Sequence, residues 1–145
     1  MKAAIHDRYG PPEVIRVTKI DTPTIKPNEA LVRVVSTSVT TGDARIGSWN
    51  IPSLVFSIPA RLMLGVSRPR RRVLGTSLSG VVERVGDEVT RLKVGDEVIA
   101  STEMNFGAHA EFVAINEDAP IVPKPPSVTF EEGAAAPFGG STAIY

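Results

Sequence analysis

The stretch VTTGDARIG, residues 39–47, places Thr40, Thr41, Asp43 and Arg45 within six positions, directly after a valine-rich run. Hydroxyl and guanidinium groups donate hydrogen bonds and a carboxylate orients a donor, so this set suits holding and polarising an oxygen-bearing ligand. Segments at strand ends are also where binding residues concentrate. Asp43 has a second reading, as a turn aspartate beside Gly42 that bonds the local backbone. Arg45 has one too, an ion pair with Asp43. A little further on, Trp49 and Phe56 offer flat faces that suit a planar ligand and suit a core equally well.

Other chemistries are excluded early. The chain has no cysteine and two histidines, which removes disulfides, thiolate nucleophiles and every zinc site that uses sulfur. His6, after the first apolar run, and His109, in the β-rich GAHAEF, read as structural. Sixteen Lys and Arg balance sixteen Asp and Glu, so no net field favours nucleic acid or an anionic membrane, and a small neutral molecule is the expected partner. The basic run SRPRRR, with Arg68, Arg70, Arg71 and Arg72, reads as solvated surface or as a screen for phosphate.

The elements that must position these residues are short strands. A composition of 42% hydrophobic and 22% charged residues over 145 positions suits one globular core. The runs KAAI, EVIRVTKI, ALVRVVSTSV, SGVVERVG, DEVIAS and GAHAEFVAI are rich in valine and isoleucine. Between them YGPP, KPNE, VGDE and KVGDE supply turns, so the pattern predicts an all-β barrel or sandwich. In VIRVTKI apolar residues fall on both sides of the alternation, which predicts a strand partly covered on both faces. The segment from Ile46 to Arg72 is apolar and proline-punctuated; it reads either as a surface excursion forming a lid or as a few helical turns packed on the barrel.

The most apolar window, Trp49 to Val66, is broken by Pro52, Pro59 and Arg61 and falls short of the roughly 20 residues that span a bilayer. The start, MKAAIHDRYGPPEVI, carries no long apolar region, and the cytoplasm is the expected compartment. After the proline-rich APIVPKPPSV, Thr129 followed by Glu132 predicts a capped helix, which Pro137 and the Gly139-Gly140 pair should break.

Four segments in fixed order carry a resemblance to a family: MKAAIHDRYGPPEVIRV, GTSLSGVVERVGDEVTRLKVGDEV, GAHAEFVAI and AAAPFGGSTAIY. Together they resemble the amino-terminal, chaperonin-10-like (GroES-like) domain of the medium-chain dehydrogenase/reductase superfamily, nearest its zinc-independent quinone oxidoreductase branch. The resemblance implies a mainly β, GroES-like barrel with short helical excursions over residues 1–126, the substrate-side domain. Residues 127–145 would form a connecting helix leading towards a Rossmann domain. No G-x-G-x-x-G strand-turn-helix unit follows within the chain, so the chain is expected to be truncated and, alone, to bind dinucleotide weakly or not at all.

The activity implied is hydride transfer from NADPH or NADH to a quinone, an enone or a related carbonyl. Zinc-dependent members of the superfamily carry a Cys at the position of Thr40, a His-Glu pair at Thr76 and Ser77, and a Cys near Phe138. None of these residues here is a usual zinc ligand, which implies a zinc-free site. The resemblance further implies Thr40 as a hydroxyl donor, Asp43 as an orienting or cofactor-proximal carboxylate and Arg45 as a grip on a substrate oxygen. Trp49 and Phe56 would line the substrate pocket, Thr142 would lie near the nicotinamide ring, and Gly139 and Gly140 would let the cofactor approach. An alternative of another class stays open: a stand-alone GroES-like interaction or assembly module, which admits a homodimer through exposed apolar surface.

Overall fold

Valine and leucine drive two antiparallel sheets in the computed structural model, which describes residues 1–50, 62, 64, 65, 68–140 and 143. The larger sheet is built on β3 (Glu29–Thr37), β4 (Ser77–Val85), β5 (Glu97–Ser101), β6 (Phe112–Asn116) and β7 (Ile121–Pro123), in the order β6-β3-β4-β5-β7. The smaller pairs β1 (Lys2–His6) with β2 (Ile15–Lys19). Single bridges from Ala3 to Ala110 and from Ile5 to Val73 tie β1 to the rest. Among the described residues the α-helices with full bounds are α1 (Thr41–Ser48) and α2 (Phe130–Ala135), beside short helical turns at Pro12–Val14 and Glu103–Asn105.

The core lies against β3, β4 and β5, where Val32, Leu78, Val82 and Val98 are almost wholly removed from water. Strict alternation would bury every second residue of a strand. β3 instead buries Ala30, Leu31 and Val32 in succession, Ala30 and Val32 in the main core cluster and Leu31 outside it, so both faces of the strand are covered here. Gly80 sits opposite Val34 on β4, where an added Cβ would stand 2.3 Å from the Arg33 carbonyl oxygen; the backbones approach too closely for any other residue.

Both helices begin with reciprocal caps. The Thr40 hydroxyl accepts from the Asp43 N–H while the Asp43 carboxylate accepts from the Thr40 N–H, and Thr129 and Glu132 repeat the arrangement at α2. The expected helix after Thr129 is therefore present, although the chain continues through Pro137 as a wider helical turn, Ala136–Gly140, where a break was expected. Residues 41–48, expected as a loop, are helix α1; the Thr-x-x-Asp spacing is the cap signal that marks its start.

Three further expectations change. β2 is exposed along nearly its whole length rather than partly covered. GAHAEFVAI becomes strand only from Phe112, His109 lying outside it. The proline-rich hinge contains β7, an edge strand whose Pro123 needs no outward donor. The proposed lid falls mostly outside the described residues, but Leu64 is buried against Leu74 and Phe106, and the Tyr9 hydroxyl bonds the Leu64 and Gly65 carbonyls, each at 3.1 Å. Among the described residues no helix is long and apolar enough to cross a membrane.

Candidate functional site

Thr40 and Asp43 are buried, and their hydrogen bonds define one wall of a cavity. Asp43 Oδ2 accepts from the Thr40 N–H and the Thr40 hydroxyl, both at 2.8 Å, and Asp43 Oδ1 accepts from the Gly75 N–H at 3.0 Å. A carboxylate has about four acceptor positions, so three are taken by the protein. Asp43 thus fastens the start of α1 to the residues leading into β4. Gly75 makes this reach with φ at +92°, and an added Cβ would lie 2.5 Å from the His109 ring. The local-backbone reading of Asp43 describes its contacts.

The opposite wall comes from β4 and β5. Ser77 and Ser101 are direct partners across the two strands, as are Ser79 and Ile99. Residues two apart on a strand share a face, so Ser77, Ser79, Ile99 and Ser101 stand together. Helix α2 covers one end of this patch: the Ser79 hydroxyl donates to the Phe130 carbonyl, and Gly133 packs against Ile99 and Ser79. The Ser77–Ser101 end is left to the cavity. Its backbone is held by the Thr37 hydroxyl, which donates to the Ser77 carbonyl at 2.8 Å, and by the Thr102 N–H, which donates to the Thr76 carbonyl at 2.8 Å.

The resulting cavity has a volume of about 320 Å³ and joins Thr40, Asp43, Thr76, Ser77, Ser101 and Phe138. Residues from four separate parts of the chain therefore converge there, including those that the sequence resemblance matches to zinc positions. Glu103 and Phe106 complete the rim with φ of +48° and +56°, a backbone region that costs non-glycine residues on the order of 1–3 kcal/mol. The strained turn brings Glu103 beside Ser101, whose hydroxyl accepts from the Glu103 N–H at 3.3 Å. Neither residue stood out in the sequence, since Ser101 is marked only by its pairing opposite Ser77.

The remaining expected site residues scatter. Arg45 is exposed on α1 and makes no ion pair with Asp43; positions two apart on a helix do not face each other. Trp49 packs with Leu64, Leu74 and Phe106, its ring 4.7 Å from that of Tyr9, in a small apolar cluster. Gly139 and Gly140 are exposed just beyond the cavity, and a Cβ at either would meet nothing within 4 Å. Phe56 and Thr142 lie outside the described residues. Among the described residues no three His, Asp or Glu side chains gather as metal ligands, and the hydroxyls at Thr40, Thr76 and Ser77 do not fit tetrahedral zinc.

A second, larger groove of about 850 Å³ runs between β1, β2, the end of β3 and α1, lined by Val14, Ile15, Val17, Val34, Val35 and Val39 among others. Asp43 touches both spaces. The larger is walled mainly by alkyl groups, with Lys2, His6, His109 and Glu111 among its lining, whereas the smaller gathers hydroxyls and a carboxylate.

Fold and cleft together define a GroES-like amino-terminal domain of the medium-chain dehydrogenase/reductase kind. The chain belongs to the alcohol dehydrogenase GroES-like domain family, which matches residues 26–126. It is 29% identical to the NADPH-dependent alkenal/one oxidoreductase of Arabidopsis thaliana chloroplasts, a match that takes in 99% of this chain and 36% of that protein. Among solved structures, the quinone oxidoreductase of Coxiella burnetii superposes with a TM-score of 0.84 at 27% identity, covering 99% of this chain and 43% of the other. The quinone oxidoreductase of Pseudomonas syringae gives 0.81 at 31% identity, covering 99% and 39%. The chain thus spans well under half the length of these relatives.

Proposed function

We propose that residues 1–126 form the substrate-side domain of a zinc-independent, NAD(P)H-dependent oxidoreductase acting on a quinone, enone or related carbonyl, with residues 127–145 leading into the dinucleotide-binding part. The observation that carries this reading is the convergence of Thr40, Thr76, Ser77 and Phe138 in one cavity; the family resemblance assigns these positions to metal ligands in zinc-dependent members, and three of them carry hydroxyls here. The reduced nicotinamide, when bound, supplies the hydride. For an enone, a C–H bond forms at the β-carbon, the alkene electrons move towards the carbonyl oxygen, and a proton from water reaches the α-carbon. Conjugation spreads the developing charge, so hydrogen-bond donors can take the place of a Lewis acid. The chain's share is to donate those bonds, orient the carbonyl and limit water. Exposed Gly139 and Gly140, at the cavity's edge beside Phe138, leave room for the cofactor's approach.

The test is a chimera joining residues 1–145 to the remainder of the Pseudomonas syringae quinone oxidoreductase. Consumption of NADPH that depends on an added quinone or enone is expected. A chimera that folds and binds NADPH yet leaves both substrates unreduced would overturn the reading. The alternative, an assembly module, is favoured by the exposed apolar groove and would show itself as a stable oligomer indifferent to nucleotides.

A further inference from the structure

Which hydroxyl holds the substrate oxygen follows from counting protons in the cavity. Thr40 is at the right place, but its proton is committed to Asp43 Oδ2 at 2.8 Å and one of its lone pairs accepts from the Asp43 N–H at 3.2 Å. With Asp43 accepting its proton, Thr40 offers a ligand a lone pair and no proton. Ser79 is likewise spent on the Phe130 carbonyl, and Thr102, whose hydroxyl donates to the Gly75 carbonyl at 3.1 Å, is spent on the backbone.

Ser77, Ser101 and Thr76 differ in keeping hydroxyl protons that no described residue takes. Of these three, Ser77 and Ser101 face each other as a cross-strand pair, while Thr76 lies just before β4. Ser77 is 1% exposed and lines the cavity, yet among the described residues no protein group hydrogen-bonds its hydroxyl. Ser101 accepts from the Glu103 N–H, and no described residue takes its proton. As direct cross-strand partners their Cβ atoms stand about 5 Å apart on one face, a spacing that lets two hydroxyls meet on one oxygen atom. The described lining residues include no Lys, Arg or His, and the ionisable ones are Asp43 and Glu103. Such a wall receives a neutral acceptor and repels an anion.

Building on the reading above, we propose that the Ser77 and Ser101 hydroxyls form a two-donor cradle for the carbonyl oxygen of a neutral substrate, and that Asp43 and Glu103 exclude carboxylates. Two donors aimed at one oxygen stabilise the charge that gathers there as hydride arrives. Ser77 and Ser101 are then substrate-binding residues, and Thr40 with Asp43 holds the opposite wall in place.

The 145-residue chain tests this directly, with cyclohex-2-enone and the anionic cyclohex-1-ene-carboxylate as probes; the chain has no cysteine for the enone to alkylate. Amide resonances of Ser77, Ser101 and Glu103 should shift on adding enone, and the bound carbonyl stretch should move to lower frequency. Carboxylate should produce neither effect. Ser77→Ala and Ser101→Ala should each weaken enone binding about 5- to 10-fold, the size of one hydrogen bond to a neutral group. The double variant should abolish the stretch shift while melting as the wild type does. Ser48→Ala, on the far side of α1, should change nothing. Wild-type affinity with an unchanged stretch shift in both single variants would overturn the cradle and leave the enzyme reading standing, as would equal binding of carboxylate. Failure of the wild-type chain to bind enone at this cavity would overturn both.

Discussion

Asp43 shows how one carboxylate can fasten two distant parts of a chain together. It closes the α1 cap through Thr40 and reaches the Gly75 N–H, so a single side chain sets the distance between the helix start and the residues entering β4. Truncating it would leave the Thr40 and Gly75 donors buried without acceptors, each such loss costing about 1–3 kcal/mol, besides the cap itself. Asp43→Ala is therefore expected to destabilise the chain by about 3 kcal/mol in urea unfolding. A loss below about 0.5 kcal/mol would mean that the carboxylate is free for other work. At this scale the sequence was legible in kind and ambiguous in role. Thr-x-x-Asp carries the same capping signal as Thr129-x-x-Glu132, but the presence of Arg45 and Thr41 nearby invited a reading as a polar binding loop. The serines across the strands were harder to see, because Ser77 and Ser101 are 24 positions apart and only the β4–β5 register places them opposite each other.

Strand β1 and the residues before β4 form a latch whose chemistry is sensitive to acid. The His6 N–H and its Nδ1 both bond the Arg72 carbonyl, at 2.9 and 3.0 Å, so Nδ1 is the donor and Nε2 is left as a buried lone pair without a protein partner among the described residues. Asp7, next in the chain, pairs with Arg72 at 2.6 Å and with Arg16 at 2.7 Å. Burial holds the His6 ring below the ordinary histidine range, outweighing the Arg72 carbonyl and the Asp7 charge that raise it. The unfolded chain then binds a proton that the folded chain refuses. Stability is complete above the unfolded value of about 6.5, falls as pH drops below it by at most about 1.4 kcal/mol per pH unit, and levels off beneath the folded value. The hydrogen bonds from Arg16 and Arg72 keep Asp7 below the usual carboxylate range, so its pairs persist through this window. His6→Asn, whose amide keeps a donor at the Nδ1 position, should flatten the loss of the urea midpoint between about pH 7.5 and 5.5; an equal slope in both proteins would remove His6 as its source. The strands themselves were readable because valine-rich runs bounded by Gly and Pro are local signals. Pairing of His6 with Arg72 was not, since nothing in either residue's neighbourhood specifies the other.

Across the whole molecule, the distribution of apolar surface separates what the chain can do by itself from what the family's longer members do. The central sheet closes its own core, with Val32, Leu78, Val82 and Val98 nearly inaccessible. On the other side, Val17 and Val39 are 73% and 79% exposed, and with Ile15 and Val35 they border the larger groove. The mixed apolar pattern of β2 predicted cover on both faces, and a pattern of that kind states only that cover is wanted, not which residues supply it. A groove of about 850 Å³ walled by valine is the sort of surface that recruits apolar partners. The isolated chain is expected to bind an environment-sensitive dye such as anilinonaphthalene sulfonate at neutral pH while still unfolding cooperatively, which separates a native groove from a loosened core. It is also expected to sediment with a concentration-dependent mass. Val17→Glu combined with Val39→Glu should suppress both effects, because two carboxylates on the groove walls raise the cost of burying them. The substitutions are solvent-facing and should shift the urea midpoint little. Dye binding and self-association that survive both changes would place the sticky surface elsewhere, and the cavity beside Phe138, itself 42% exposed, would then be the face to alter next.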